Sequence, residues 1–580
     1  MTKLKKFRAE HPEICSVLFL AVLCGLFIFW GLDFYPLLDV DETRYAIMSR
    51  DLSQSKDWNV LLLNSLPFME KPPLYFWLVA VSIKIFGSFS EFAVRFPIAL
   101  ISTIFVFATY YFGKTVLSRK FGLVSAIILL TSVFFLIFSH IAILDMILTT
   151  CISISLYCAF LSFRQKDIYK KYCWWFFWTF AGLGFLAKGI LALAIPFTVM
   201  FLYCLFTKNL KELFKPINFI VGFVIFLLII MPWHIIMYRD YGWSFVNEYF
   251  IKHHFARLLT SEYIGRKHGI LYFIPVFIVA FMPWTFIFLS TIPNVCKKLY
   301  ERYKETEGKL ILKIQAMFTA KDSEQEVLLF AALFFTVVFI VMSISSTKLP
   351  TYILPALPAA ALITGYFWCT SENETSTLQT IKISTYIIAG IFILAALITS
   401  LAYVFLPQPI IEMVDSFKYS VLIGCAFVGI YLMLQLKTQK TLSIFSGYVI
   451  AMFFVITFAV TNLFSLLYAG GENELVLFSN YAKTQDTRLV TFDFAVKPST
   501  KINYKEHIYF ITDDNFEQLY TLVNNKSVPT FVIVKNSEVE TKGYQDKLDK
   551  YLYLVQTGKK YSLYLNKQIP EKNRLILWIK

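Results

Sequence analysis

The sequence predicts an α-helical polytopic membrane protein of about thirteen transmembrane helices, followed by a soluble C-terminal α/β domain. Of its 580 residues, 57% are hydrophobic and only 16% charged, and the mean hydropathy is +0.61, well above the soluble globular range. Thirteen separate apolar runs approach the 17 to 25 residues that a helix needs to cross a bilayer. Beyond Gly470 the composition changes abruptly to a mixed polar pattern.

The runs cover residues 14–32, 93–117, 121–138, 146–163, 173–187, 190–207, 217–238, 269–290, 326–345, 350–368, 381–406, 418–436 and 443–468. The first follows Lys3, Lys5, Lys6 and Arg8 and lacks a small-x-small cleavage site before Asp33, so it is expected to be a retained signal anchor. With the basic N-terminus inside, the loops 118–120, 164–172, 208–216 and 291–325 fall on the cytoplasmic side. The last of them carries Lys297, Lys298, Arg302, Lys304, Lys309, Lys313 and Lys321, as the positive-inside rule requires. One further apolar run, Leu74 to Gly87, would reverse the sidedness of every later loop if it spanned. It is therefore expected to be short, tilted or re-entrant. The outer side then holds residues 33–73, 139–145, 239–268, 346–350 and everything after Gly470.

Interspersed this way, the formal charge of +15 fits membrane topology and anionic lipid; nucleic acid is not an expected partner. The nine cysteines lie in or beside apolar runs and form no CxxC motif, so neither a disulfide framework nor a cysteine metal site is expected. After Gly470, strand-like runs at 488–494, 507–512, 530–535 and 551–556 alternate with helix-like runs at 514–525 and 538–549. This region contains no GxGxxG, no P-loop and no evident catalytic pair. The expected division is a membrane domain over 1–470 and an α/β domain over 471–580 on the outer, periplasmic side.

Most of the polar residues that need explaining share the outer side. Asp39 and Glu42 have the spacing of a capping box for a helix running to about Leu52. On it Asp41, Arg44 and Tyr45 share a face, as an ordinary intrahelical ion pair or as a site for a charged substrate. In Glu70-Lys71-Pro72-Pro73, two prolines that favour extended backbone follow a charged pair at the membrane surface. His253 and His254, in a stretch ending at Arg257, point about 100 degrees apart on a helix. One of them with Glu70 supplies the ligand types zinc takes; the plainer reading is polar loop histidines. Asp145 has apolar neighbours and would be costly outside a polar cavity. Lys188, and Lys348 with Tyr352, are isolated in short connections where snorkelling is the ordinary role. Several cations at one interface suit a lipid phosphate better than a neutral solute.

Together, Asp41-Glu42-Thr43-Arg44-Tyr45, Glu70-Lys71-Pro72-Pro73-Leu74-Tyr75-Phe76-Trp77, Arg95-Phe96-Pro97, Leu144-Asp145, Leu186-Ala187-Lys188-Gly189 and Lys348-Leu349-Pro350-Thr351-Tyr352-Ile353-Leu354-Pro355 resemble the GT-C glycosyltransferases that use lipid-phosphate sugars. The nearest branch adds 4-amino-4-deoxyarabinose to lipid A, and protein mannosyltransferases are its relatives. By motif the resemblance covers roughly residues 10–370.

The resemblance implies a GT-C fold and sugar transfer from an undecaprenyl-phosphate donor to an acceptor such as lipid A, at the outer face of the bacterial inner membrane. It gives Asp41, Lys71 and Asp145 catalytic positions. Arg44, Tyr45, Lys188, Arg257, Lys348 and Tyr352 become candidates for binding substrate or phosphate, and Glu70 with His254 a candidate divalent-metal pair, zinc being the natural ion. A nucleotide cofactor is not expected, because the donor arrives on a lipid. Glycosylation of protein or another glycan is the neighbouring alternative. A lipid or solute transporter is the alternative of another class, but its charges would line a path through both leaflets, whereas these collect on one side.

A reporter fused after Lys580 is expected outside the cytoplasm. Cytoplasmic reporter activity would break the thirteen-span count and make Leu74–Gly87 a true span.

Overall fold

Hydrocarbon offers a backbone no hydrogen-bond partners, so an apolar run must satisfy its own amides and carbonyls as a helix. In the computed structural model the described residues of each of the thirteen runs are built mainly on helix. The structure describes residues 10–568 except 64–65, 257–267, 306–321, 372–374, 406–417, 438–439, 464–471, 485–486, 495, 498–499, 501–503, 505–507 and 559. Two compact units emerge: Met1–Leu32 with Leu52–Phe458, and Asp33–Asp51 with Ala459–Lys580. The division differs from a single boundary at Gly470, because Asp33–Asp51 groups with the C-terminal chain.

In chain order the described helices are α1 (Pro12–Cys24, continued by a π turn, Gly25–Phe29), α2 (Asp41–Gln54), α3 (Leu74–Phe86), α4 (Glu91–Val116), α5 (Arg119–Leu130), α6 (Val133–His140), α7 (Leu144–Ser162) and α8 (Asp167–Lys188). There follow α9 (Leu191–Phe206), α10 (Leu210–Leu213), α11 (Pro216–Phe245, continued by a π segment, Val246–Ala256), α12 (Phe273–Ala280), α13 (Thr285–Glu305), α14 (Ser323–Ile344), a 3-10 turn (Pro350–Ala356) leading into α15 (Leu357–Thr370), α16 (Thr375–Phe405), α17 (Lys418–Lys437) and α18 (Thr441–Phe458). A hairpin of β1 (Leu62–Leu63) and β2 (Leu66–Pro67) precedes α3. Among the described residues, eight spans are long and apolar enough to cross a membrane alone, or nine if one bent pair counts as a span. The thirteen runs outnumber them because several of the helices are shorter or more charged. Helix α3 has 13 residues, about 20 Å at 1.5 Å each, against a hydrocarbon core of about 30 Å.

Two runs that read as straight spans are broken. The run 121–138 becomes α5 and α6, bent by 64°, and 269–290 is interrupted between α12 and α13. The breaks satisfy each other: the Val133 amide donates to the Met282 carbonyl (3.0 Å), and the Trp284 indole donates to the Thr131 hydroxyl (3.0 Å). Irregular backbone at membrane depth is tolerable where protein buries it, and Thr131 and Trp284 are fully buried. The Trp284 ring also stacks on Tyr448 of α18, 4.8 Å between centroids. The end of the first span is tied down similarly. Arg95, completely buried, donates to the Leu32 carbonyl (2.7 Å), and His140 Nε2 lies 3.2 Å from the Trp30 carbonyl.

The second unit contains helices α19 (Glu472–Thr484), α20 (Phe516–Asn524), α21 (Asn536–Lys542) and α22 (Gln545–Asp549), with strands β3 (Arg488–Phe492), β4 (Ile508–Ile511), β5 (Thr530–Lys535), β6 (Tyr553–Thr557) and β7 (Tyr561–Leu565). The sheet order is β4-β3-β5-β7-β6; β3 pairs in parallel with β4 and β5, while β7 runs antiparallel to β5 and β6. Alternation along β5 builds two cores. Phe531 and Ile533 pack with Leu475 and Phe478 of α19; Val532 and Val534 pack with Leu519 and Val523 of α20 and Leu548 of α22. Strand β7 was not expected from the sequence, where Ser562 interrupts a short run between Gly558 and Asn566. The helix expected over 538–549 is split at Gly543, whose φ of +64° ends α21.

Asp493, just after β3, accepts from Lys542 (2.5 Å) and from the Tyr544 hydroxyl (3.1 Å). Burial pushes its carboxyl up, but these hydrogen bonds outweigh that and hold it below its ordinary value. A depressed carboxylate stabilises the fold above its unfolded pKa, and the contribution is lost as pH falls through the folded value. Asp493→Asn, which still suits the left-handed backbone here (φ +59°), is therefore expected to lower the melting transition of this unit at pH 7. The gap to wild type should close as pH falls below about 4; a pH-independent gap would remove the ionic explanation.

Candidate functional site

Helices α7 and α8 run antiparallel: the Ser155 hydroxyl donates to the Phe177 carbonyl (2.8 Å), and the Lys188 ammonium meets Asp145 (2.5 Å) at the other end. Asp145 lies in the first turn of α7 and Lys188 is the last residue of α8, so each charge opposes the partial charge of its own helix end. The side chains are only 13% and 16% exposed. Gly184 permits the close approach, since a Cβ there would lie 2.9 Å from that of Cys151 and 2.8 Å from that of Ala192. Directly after Lys188, Gly189 takes φ +107°, ψ −152°, a backbone essentially reserved for glycine.

The pair lines a cavity of about 100 Å³ that also receives Lys71, His253, Thr149 and Tyr352. Leu148, Leu191, Met342 and Pro355 supply apolar wall. Lys71, 8% exposed, donates to its neighbour's carbonyl at Glu70 (3.1 Å). Pro73 has already turned into helical backbone (φ −86°, ψ −14°) as the N-cap of α3, so only part of the expected extended segment remains. Just downstream, the buried Tyr75 hydroxyl donates to the Ala142 carbonyl (2.6 Å), fastening α3 to the loop that leads into Asp145. The Tyr352 ring, on the 3-10 turn before α15, lies 4.9 Å from the Lys188 ammonium. Among the described residues the site is thus a pocket with two ammonium groups, one carboxylate and an apolar flank, suited to the phosphate of an amphiphile.

Of the residues singled out in the sequence, Lys71, Asp145, Lys188 and Tyr352 line this one cavity. Lys348 is not among the lining residues: it is buried and donates to the carbonyls of Ser345 (2.5 Å) and His268 (3.1 Å), which fixes the turn before Tyr352. His253 lines the cavity, within electrostatic reach of Lys71 and Glu70. The side chain of His254, and Arg257 entirely, lie outside the described residues.

His253 Nε2 lies 3.3 Å from Glu248, which also binds Lys252 (2.7 Å). Among the described residues no three His, Cys, Asp or Glu side chains gather as a metal requires. The expected metal pair of Glu70 with His254 falls partly outside the described residues.

Asp41, Arg44 and Tyr45 form their own cluster in the second unit. Arg44 pairs with Asp41 at 2.8 Å and its guanidinium lies 5.1 Å from the centre of the Tyr45 ring. Helix α2 begins at Asp41, two residues after the expected Asp39 start, and Glu42 accepts from the Leu38 amide (2.7 Å). The lining hydroxyls Thr149 and Thr351 were missed in the sequence because serine and threonine on apolar helices ordinarily bond their own backbone.

A family model described as dolichyl-phosphate-mannose-protein mannosyltransferase matches residues 70–236. The undecaprenyl phosphate-alpha-4-amino-4-deoxy-L-arabinose arabinosyl transferase of Wigglesworthia glossinidia brevipalpis is 29% identical over 406 residues, covering 69% of this chain and 67% of its own length. The Yersinia enterocolitica protein of the same name is 29% identical over 63% of this chain and 61% of its own. The crystal structure of ArnT from Cupriavidus metallidurans bound to undecaprenyl phosphate superposes with a TM-score of 0.73 at 20% identity, over 95% of this chain and 98% of that one, a likeness of fold.

Lys188→Met strands the Asp145 carboxylate in a poorly hydrated place and is expected to cost about 3 kcal/mol. Adding Asp145→Asn should recover part of that loss, measured by thermal unfolding in detergent. Strictly additive losses would mean that the pair does not couple.

Proposed function

We propose that this chain, a polytopic inner-membrane glycosyltransferase of the GT-C type that uses a polyprenyl-phosphate sugar, transfers an amino sugar such as 4-amino-4-deoxyarabinose from undecaprenyl phosphate to lipid A, on the periplasmic face. The observation that carries the reading is the pairing of Lys71 and Lys188 in one apolar-walled cavity. The arabinosyl transferase relatives support the choice of sugar, and the lipid bound to the ArnT of similar fold supports the carrier.

In the reaction an acceptor oxygen forms a bond to the anomeric carbon as the bond from that carbon to the donor phosphate oxygen breaks. The electron pair of the broken bond stays on the phosphate, which leaves as undecaprenyl phosphate. Lys71 and Lys188 are placed to stabilise that growing charge without reorganising. Asp145 holds Lys188 in position, and the Tyr352 face limits the rotamers of its ammonium. Asp41 is assigned to orient the acceptor, or to take its proton when the acceptor is a hydroxyl; a lipid A phosphate, already anionic, needs no base.

The test is mass spectrometry of lipid A from cells with the gene, without it, and with Lys71→Ala. The expected result is a sugar-sized mass increment that disappears in both altered strains while the variant protein is still made. An unchanged lipid A profile on deletion would refute lipid A as acceptor, and near-normal turnover by purified Lys71→Ala would refute the phosphate role.

A further inference from the structure

Helix α7 carries five serine and threonine side chains, and four are accounted for. Thr150 donates to the Met146 carbonyl (2.9 Å), Ser153 to Thr149 (2.7 Å), Ser155 across to Phe177 (2.8 Å) and Ser162 to Ala159 (2.6 Å). The fifth, Thr149, is 1% exposed, and its hydroxyl oxygen has no hydrogen-bond partner among the described residues. It stands one turn after Asp145 on the same helix face and lines the cavity that holds Lys71 and Lys188. A buried hydroxyl left unpartnered costs about 1–3 kcal/mol, and its own helix offers the ordinary remedy of bonding back to residue 145. The side chain forgoes that bond and faces the pocket. Thr351 repeats the pattern from another element: its hydroxyl oxygen is buried without a partner among the described residues, and it lines the same cavity beside Tyr352.

We infer that Thr149, assisted by Thr351, is a phosphate-binding residue whose hydroxyl donates to a non-bridging oxygen of the lipid-phosphate donor. The inference rests on the donor reading given above and adds a neutral half to the anion site. Two ammonium groups supply charge but little direction, whereas hydroxyl donors from α7 and from the Pro350–Ala356 turn fix the orientation of the phosphate and hence of the bond to be broken.

The experiment measures binding of undecaprenyl phosphate, and of neutral undecaprenol, to the detergent-solubilised full chain. Thr149→Val keeps the shape and removes the donor. It is expected to weaken undecaprenyl phosphate binding about tenfold or more, to leave undecaprenol binding unchanged, and to melt no lower than wild type without ligand. Thr149→Ser should restore phosphate binding to within about threefold, as it keeps the hydroxyl. Equal loss for the two lipids would make Thr149 a shape residue and overturn the inference. Wild-type phosphate binding by Thr149→Val while Lys71→Ala loses it would overturn the inference and leave the donor reading standing. Wild-type binding by both variants would overturn the two together.

Discussion

The contact between Asp145 and Lys188 is the constraint on which the membrane-embedded site depends. Apolar packing is nearly indifferent to small rotations of a helix about its axis, because lipid tails resemble leucine. A carboxylate and an ammonium placed where hydration is poor are not indifferent: each must meet the other or a ligand. That requirement sets the rotation and the register of α7 against α8, with Gly184 permitting the close approach and Gly189 turning the chain away at once. Lys71 and Tyr352 are then positioned relative to a fixed charge pair.

Around the pair, backbone groups that lipid could not satisfy are used as fasteners. The paired breaks at Thr131 and at residues 281–284 exchange hydrogen bonds, so two bends stabilise one another inside the bundle. Arg95 and His140 hold the carbonyls at the end of the first span, and Tyr75 holds Ala142 beside the first turn of α7. These polar contacts are few, buried and specific. They give this end of the bundle a defined geometry while the apolar majority supplies mainly close packing.

Among the described residues that line the cavity, one carboxylate meets two ammonium groups, an imbalance that suits an anion. The positions of the individual cations show how differently one residue type can be used. Lys71 and Lys188 reach the cavity; Lys348, in an equally suggestive motif, spends its protons on two backbone carbonyls and so shapes the turn that carries Tyr352. Sequence context does not distinguish these uses, because all three lysines sit beside short turns at the ends of apolar runs.

Much of the architecture was legible residue by residue. Runs of leucine, isoleucine and phenylalanine must become helix in a solvent without hydrogen bonds, so the helices followed from composition, while the breaks at 131–132 and 281–284 did not. The alternation along residues 530–535 announced a central strand, while Ser562 concealed its neighbour β7. The sequence also singled out Lys71, Asp145, Lys188 and Tyr352 as polar groups with no business in lipid. It could not pair Asp145 with Lys188, bring His253 to the cavity, turn Lys348 away or see Thr149. Composition by itself determined which segments lie in the membrane and which residues are too costly there without a purpose. Only the tertiary structure decided which of those residues share a cavity, because helix rotation and the two mutually satisfied breaks arise from contacts between segments far apart in the chain.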